Sequence, residues 1–311
     1  MFPPSLLGGC LAALGLPARR WGLGLYHAMQ KIGKDIYVES SFPGVTVGAI
    51  VTSEGVVLID APTHPADAQL WRLRVRELTD QPIRYLVLLD HHRDRAMTAA
   101  LFNVPVVAHD LTLERMRHWP EQFKPLLPET GADAEWVNDW AGARLMLPII
   151  TFSEQMRLSL GGKELRLVHR PGSAPGATWV EVPEADAVFV GDSVALKAPP
   201  FLAEADLEAW TQALSDLRKK KTLGRTVVPG RGGLSNKQAI KPAEDFIRLV
   251  RRRLDAFSKG KKGRADLEKV GMELVEWFPA NADLRDHYLR RLAHGLEAQF
   301  DALILATAQR P

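Results

Sequence analysis

One short stretch of this chain concentrates side chains that could do chemistry. Residues 90–95 read DHHRDR and follow the apolar run YLVLL. Imidazoles and carboxylates bind metal ions and transfer protons, so the stretch could hold a metal ion or act in acid–base catalysis. Its two arginines cannot be ligands, because a guanidinium stays protonated and has no lone pair to donate. The pattern therefore indicates a metal site in which some ligands have been exchanged.

Three later loops also place polar residues directly after strand-like runs. They are residues 172–176 with Ser173, residues 191–193 with Asp192, and residues 229–232 with Arg231. His64, in APTHPAD, follows another strand end and could touch a ligand at the same mouth, although a loop histidine at the start of a helix is the simpler interpretation.

The order of these loops resembles the metallo-β-lactamase superfamily. LIDAP, which ends its strand with Asp60, is similar to the family's LIDTG, and PGSAPGATWV is similar to PGHTPGS followed by a strand. VFVGDS and VVPGRGG are similar to the family's LFxGD and PGHG. The resemblance covers residues 35–240 and implies a mixed α/β fold, an αββα sandwich with its active site at the edge between two sheets.

The resemblance also implies a set of ligands. Active members carry His-x-His-x-Asp-His, one zinc taking three histidines and the other taking the signature's aspartate, its last histidine and a distant histidine, with a further aspartate bridging both. Here His92, Asp94 and the bridging Asp192 are retained, and Asp90 stands at the first histidine.

The position of the second metal has lost both of its histidines. Arg95 replaces the last histidine of the signature, and Arg231 replaces the distant one. At ~4 Å and an effective dielectric constant of ~20, each guanidinium would repel a dication by on the order of 8 kcal/mol before screening. We therefore expect no second metal, and we expect Arg95 and Arg231 to pair with Asp90, Asp94 and Asp192 in a salt-bridge network.

The position of the first metal is more open. Asp90, His92 and Asp192 form a set that suits zinc, iron or manganese, and Ser173 replaces the third histidine. Binding of no metal is the first expectation, and one weakly held ion is the alternative.

Two functions follow from these residues. In the first, the protein is a non-catalytic or ligand-binding relative that binds a small molecule or anion through Arg95, Arg231, Ser173 and His64. In the second, it is a mononuclear hydrolase of an ester, thioester or lactone, with Asp94 as the candidate catalytic residue.

Short β-branched runs predict the strands that position these residues, from DIYVESS at 35–41 to RTVVPG at 225–230. PADAQLWRLRVRELTD predicts a helix with Ala66, Leu70, Leu73 and Leu78 on its apolar face. After Pro242 the pattern changes to amphipathic helices, the first with a stripe of Phe246, Leu249, Val250, Leu254 and Phe257. This stripe needs a partner, which could be the cleft or a second copy in a homodimer.

The chain as a whole predicts three regions. Residues 1–28 are expected to be an N-terminal extension, with a targeting segment as the alternative. Residues 29–241 are expected to form a metallo-β-lactamase-like domain and residues 242–311 a helical region. Of 311 residues, 46% are hydrophobic, 25% are charged and one is cysteine, which favours a globular cytoplasmic protein without disulfides.

Other functional classes find little support. The basic runs 218–221, 251–253 and 259–264 are interpreted as solvated faces, so no nucleic acid and no membrane partner are expected. There is no Gly-x-Ser-x-Gly or Walker motif. His109 and His169 are predicted to be structural, and His91 to lie in loop packing or at the surface.

Overall fold

The fold contains two β-sheets that pack face to face between helices. A computed structural model describes residues 29–119, 129–137, 144–219, 226–238, 240–260 and 263–308. The first sheet has the order β1-β2-β3-β4-β5-β6-β7, antiparallel from β1 to β4 and parallel from β4 to β7. Its strands are Gln30–Gly33, Ile36–Glu39, Val47–Thr52, Gly55–Ile59, Ile83–Val87, Val106–His109 and Ile150–Phe152.

The second sheet has the order β13-β12-β11-β10-β9-β8, and only its β11–β12 pair is parallel. Its strands are Gln155–Leu160 (β8), Lys163–His169 (β9), Thr178–Val182 (β10), Ala187–Ala195 (β11), Thr226–Arg231 (β12) and Ser235–Asn236 (β13). The strands and the two hairpins at Ser53-Glu54 and Gly161-Gly162 confirm the prediction from β-branched runs.

Alternating side chains of the strands build separate layers of core. In β4, Val57 and Ile59 face the second sheet, whereas Val56 and Leu58 face the helix over the first sheet. The outer face of the second sheet packs on the helices of the C-terminal half. The resulting helix–sheet–sheet–helix order confirms the predicted αββα sandwich.

Helix α1 (Pro65–Leu78) packs on the first sheet through Ala68, Trp71 and Val75. The prediction that Leu73 lies on the buried face of α1 was wrong, since its side chain is 46% exposed. Trp71 is fully buried, and its bulk sets the inward face of the helix. The short helices α2 (Arg93–Ala96) and α3 (Asp110–Arg117) follow β5 and β6.

Four longer helices cover the second sheet, and they include the predicted C-terminal helices: Leu207–Lys219 (α4), Lys241–Ser258 (α5), Leu267–Val275 (α6) and Ala282–Ala308 (α7). The stripe of α5 packs inside the same chain, against α4, α6, α7 and the sheet. Its predicted need for a partner is therefore met internally, and nothing in this packing supports the expected homodimer.

Some predictions fall on residues outside the described ranges, namely the N-terminal extension 1–28 and parts of the basic runs 218–221 and 259–264. Within the described part of the chain, none of the helices combines the length and the apolar character that crossing a bilayer requires.

Candidate functional site

Loops at one edge of the sandwich bring the predicted residues together. Asp60 follows β4, residues 90–95 follow β5, Asp192 lies late in β11 and Arg231 ends β12. Because β4 and β5 are parallel, as are β11 and β12, their carboxyl ends meet on the same side of each sheet. Asp60 has a φ of +56° and Gly191 a φ of +54°, so both strands turn sharply at the site.

Arg95 is the centre of the site and is completely buried. Its Nε lies 2.8 Å from Asp90 Oδ1, its Nη1 contacts Asp60 Oδ2, and its Nη2 contacts Asp192 Oδ1. The contacts of Nε and Nη2 are close ion pairs without aligned hydrogen-bond geometry. Every nitrogen of this guanidinium therefore faces a carboxylate.

Arg231 forms the second half of the network. Its Nη2 donates to Asp94 Oδ2 at 2.9 Å, and its Nη1 donates to Asp133 Oδ2 at 2.8 Å. Its Nε lies 3.2 Å from Asp192 Oδ1. Asp192 thus contacts both guanidinium groups, which confirms the predicted salt-bridge network.

The C-terminal helix α7 contributes a third arginine to the network. Arg291 donates from Nη2 to Asp133 Oδ2 at 2.9 Å, from Nε to the carbonyl of Gly131 at 2.7 Å and from Nη1 to the carbonyl of Pro199 at 3.0 Å. Its guanidinium lies 4.6 Å from the ring centre of Phe201, which also lies 5.1 Å from the guanidinium of Arg231. Asp133, Arg291 and Phe201 were not predicted from the sequence.

His92 joins the network on the side of the candidate metal ligands. Its Nδ1 lies 3.2 Å from Asp90 Oδ1 and 3.0 Å from Asp192 Oδ2, and its ring packs 4.6 Å from that of Phe201. One donor atom from each of Asp90, His92 and Asp192 lies within 4.8 Å of the others. This spacing is close enough for the three residues to hold one metal ion.

The electrostatics of these groups favour ion pairs. Burial alone would lower the pKa of His92, but Asp90 and Asp192 raise it to about 9. Burial likewise opposes ionisation of Asp90, but Arg95 and His92 outweigh it and lower the pKa to about 2. Burial of Asp192 is outweighed by Arg231 and Arg95, which hold its pKa well below the ordinary range.

Two carboxyl groups at the margin behave differently. Burial raises the pKa of Asp60 to about 7, against the opposing charge of Arg95. Burial also raises the pKa of Asp94, with Arg231 opposing this shift. Both oxygens of Asp94 are occupied, Oδ1 by the backbone N–H of Ala134 at 2.8 Å and Oδ2 by Arg231. Asp94 is completely buried, so this geometry gives no support to the predicted catalytic role.

The chemistry of the donor set does not fit a resident metal well. A metal ligand must offer a lone pair, yet Asp90 and Asp192 raise the pKa of His92 to about 9, and its Nδ1 lies against both carboxylates. The carboxylates of Asp90 and Asp192 also face the guanidinium of Arg95. A metal ion would have to displace one proton and approach a fixed positive charge.

Ser173 and His64 are the two remaining predicted ligand contacts. Ser173 is buried, and its Oγ has no hydrogen-bond partner among the described residues. His64 occupies the N-cap position of α1 without a side-chain capping bond. The expected anion contacts of Arg95 and Arg231 find no support either, because both guanidinium groups are buried and already paired.

The neighbouring histidines have structural contacts. His109 and His169 stack at 3.8 Å, and their Nε2 atoms bond to the carbonyls of Ser153 and Pro175. These contacts agree with the structural role predicted for both. His91 was expected in loop packing or at the surface, and it is buried between loops, with Nε2 3.4 Å from Oε1 of Glu204.

Comparisons with known proteins agree with this architecture. The family model of the metallo-beta-lactamase superfamily matches residues 42–231. A metallo-beta-lactamase from Pontibacter korlensis superposes with a TM-score of 0.54 at 20% identity, covering 71% of this chain and 98% of that one. The metallo-beta-lactamase IND-7 gives a TM-score of 0.56 at 17% identity, covering 71% and 97%. No curated protein matches the sequence.

The family match ends at Arg231, so α5, α6 and α7 lie beyond it. The two-sheet fold, the positions of the loops and the match over most of the chain lead to one conclusion: this chain belongs to the metallo-beta-lactamase superfamily.

Proposed function

We propose that this chain is a non-catalytic member of its superfamily, in which a salt-bridged centre takes the place of the metal site. The observation that carries this proposal is the position of Arg95. Its guanidinium faces Asp90 and Asp192, two of the three candidate ligands, and it is completely buried. A cation is therefore already present where those carboxylates would otherwise need a metal.

The balance of charge supports the same proposal. Among the described residues, five acidic side chains meet three arginines and His92 in the network: Asp60, Asp90, Asp94, Asp133 and Asp192 against Arg95, Arg231, Arg291 and His92. Near-neutrality offers little attraction to a dication, and it offers little to an anion as well. The centre is thus a buried structural element of the cleft.

A second candidate function rests on the triad Asp90, His92 and Asp192. Its donor atoms lie close enough to hold one ion, and one metal with bound water would allow hydrolysis of an ester, thioester or lactone. For this to occur, His92 must lose its proton and both carboxylates must turn from Arg95. This candidate predicts metal binding that strengthens as the pH rises through about 9.

Metal content separates the two candidates. Protein purified without a histidine tag would be incubated with zinc, manganese or iron, desalted and measured by elemental analysis. We expect no metal above background. About one equivalent in the wild type, lost in both Asp90→Asn and His92→Gln, would overturn the proposal in favour of the mononuclear site.

A gain-of-function pair tests the reason for the expected absence. Arg95→His with Arg231→His removes both fixed cations and restores two imidazoles, so this variant should bind zinc. Arg166→His, on an exposed strand position, is the matched control and should bind none. Circular dichroism must show that the double variant is folded. The metal content of the wild type tests the proposal even if the double variant does not fold.

A further inference from the structure

A small cavity lies between the second sheet and the C-terminal helices. We call it the junction cavity, and its volume is about 120 Å³. Ser193 and Ala195 of β11 line one side, Trp210 of α4 another, and Phe246 of α5 with Trp277 a third. Because α5 to α7 lie beyond the family match, this cavity is formed jointly by the common fold and the added helices.

Four of the twelve residues that line the junction cavity are aromatic: Trp210, Phe246, Trp277 and Phe278. Trp210 and Phe246 are almost completely buried, whereas Trp277 is 43% exposed and stands at the opening. Phe246 makes edge-to-face contacts with Trp277 and Phe278, with ring centres 5.8 and 5.0 Å apart. Such walls favour a flat apolar group, which can stack on one ring and meet the edge of another.

The volume limits the size of the ligand. Pockets for drug-sized ligands measure roughly 300–1,000 Å³, whereas an apolar cavity of about 150 Å³ can hold benzene. A cavity of about 120 Å³, slightly smaller than that one, limits the enclosed group to one six-membered ring, with any small substituent reaching the opening.

Two polar side chains that line the cavity, those of Ser193 and Lys197, can donate hydrogen bonds to a ligand. Ser193 Oγ accepts a hydrogen bond from Trp179 Nε1 at 2.9 Å, and within the described part of the chain the hydroxyl proton has no acceptor. The carbonyl of Ser193 is occupied by Trp210 Nε1, also at 2.9 Å. Lys197, exposed at the rim, adds a positive charge and forms no ion pair with any described residue.

The charge at the rim decides which class of ligand fits. Aromatic cages can also bind quaternary ammonium groups, but such a cation would meet Lys197, and none of the lining residues is acidic. A carboxylate can accept from both the ammonium and the hydroxyl. We propose that the junction cavity binds a small monocarboxylate with one aromatic ring, its ring among Trp210, Phe246 and Trp277 and its carboxylate at Lys197 and Ser193.

This inference does not depend on the metal question. Asp192 faces the salt-bridged centre, whereas its neighbour Ser193 lines the cavity, so the two sites share a strand but no side chain. Binding to the cavity would be retained whether or not the protein holds a metal.

The test is a calorimetric titration of the full chain with sodium benzoate, and with neutral benzyl alcohol for comparison. We expect saturable binding of benzoate at one site per chain and much weaker binding of the alcohol. Lys197→Met should weaken the binding of benzoate by roughly tenfold, because it removes the charge-assisted contact. It should leave the binding of benzyl alcohol unchanged. Lys269→Met, at an exposed lysine of α6, is the matched control and should change neither.

A second variant locates the binding. Ala243→Leu adds three carbons to a half-buried position of α5 that lines the cavity, and it should abolish binding. Ala256→Leu makes the same change on the same helix at a half-buried position outside the lining, and it should bind as the wild type does. Thermal unfolding would show that each variant is folded.

Three results would overturn the proposal. The first is no saturable binding of benzoate by the wild type up to about 10 mM, where even a weak fragment site would be half filled. The second is binding unaffected by Ala243→Leu, which would place the ligand elsewhere. The third is equal affinity for benzyl alcohol, or no effect of Lys197→Met, which would exclude recognition of a carboxylate.

Discussion

Replacing Arg95 by methionine would test whether this residue is the cation that holds the centre together. Methionine retains much of the length and apolar bulk of arginine, so the loss of packing is expected to stay below about 1.5 kcal/mol. What is lost is the charge, which contacts Asp60, Asp90 and Asp192 in a fully buried position.

The size of the effect follows from what each carboxylate retains. Asp90 and Asp192 keep His92, and Asp192 also keeps Arg231. Among the described residues, Asp60 keeps only the backbone N–H of Leu89. Removing one partner of a buried ion pair typically costs about 3–5 kcal/mol. We expect Arg95→Met to lower the free energy of unfolding by this amount, a large part of the roughly 5–15 kcal/mol typical of a domain.

Urea unfolding of wild type and variant, followed by circular dichroism, measures this difference. Arg166→Met, which breaks the exposed pair with Glu164, is the control and should change stability by no more than about 0.5 kcal/mol. A difference below about 1 kcal/mol for Arg95→Met would refute the reasoning, because it would mean that the carboxylates do not need this cation.

The same variant carries a pH signature. In the wild type the pKa of Asp90 is lowered to about 2, so its contribution to stability is present above its unfolded pKa of 3.8 and is lost as the pH falls toward 2. Without Arg95 the buried carboxylates should have raised pKa values. Their protonation should remove the unpaired buried charge and so reduce the destabilisation of the variant. The gap between the two proteins should therefore narrow as the pH falls from about 3.8 toward 2, and a constant gap would argue against an electrostatic origin.

Further predictions concern other parts of the network. The pKa of His92 rises from 6.5 to about 9 on folding. Its contribution of about 3 kcal/mol to the free energy of unfolding should therefore be complete below pH 6.5 and lost as the pH rises through 9. His92→Gln should flatten this pH dependence in urea titrations. Arg291→Met should cost about 3 kcal/mol, since it removes a buried partner of Asp133, and Asp133→Asn in the same chain should recover part of the loss in a double-mutant cycle. Gly230→Ala should destabilise the protein by at least about 2 kcal/mol in thermal unfolding, because the new Cβ would lie 2.6 Å from an oxygen of Asp192. Gly271→Ala should instead stabilise α6 by about 0.5–1 kcal/mol, because its new Cβ would have no neighbour nearer than 3.9 Å.

The sequence was sufficient for the strands and the main loops because these features are local. Runs of β-branched residues and glycine turns mark the strands, and residues of one strand end stay adjacent in the chain. The pairing of Arg95 and Arg231 with aspartates was also predictable, since both arginines stand at positions where the family places metal ligands. The inward face of α1 was not predictable, because only the fold shows that Trp71, and not Leu73, packs on the sheet.

The contribution of the C-terminal helix could not be derived from the family resemblance, since Arg291 lies outside the matched region. One signal was nevertheless present. His287 and Arg291 occupy the buried stripe of α7 together with Leu292 and Leu296, where apolar residues are expected. A charged residue within such a stripe indicates a buried partner, although the sequence does not reveal that the partner is Asp133.

The long reach of these ion pairs has a consequence for how the chain acquires its structure during synthesis. Arg231 and Asp94 are 137 residues apart, and Arg291 and Asp133 are 158 residues apart. Local hairpins can form as soon as they leave the ribosome, but each of these contacts must wait for a distant segment and for the closure of a long loop. Until α7 emerges, Asp133 lacks one of its cations, and the nascent chain carries an excess of negative charge at its future core. We therefore expect the two-sheet unit to remain incompletely ordered until residue 291 has left the ribosome.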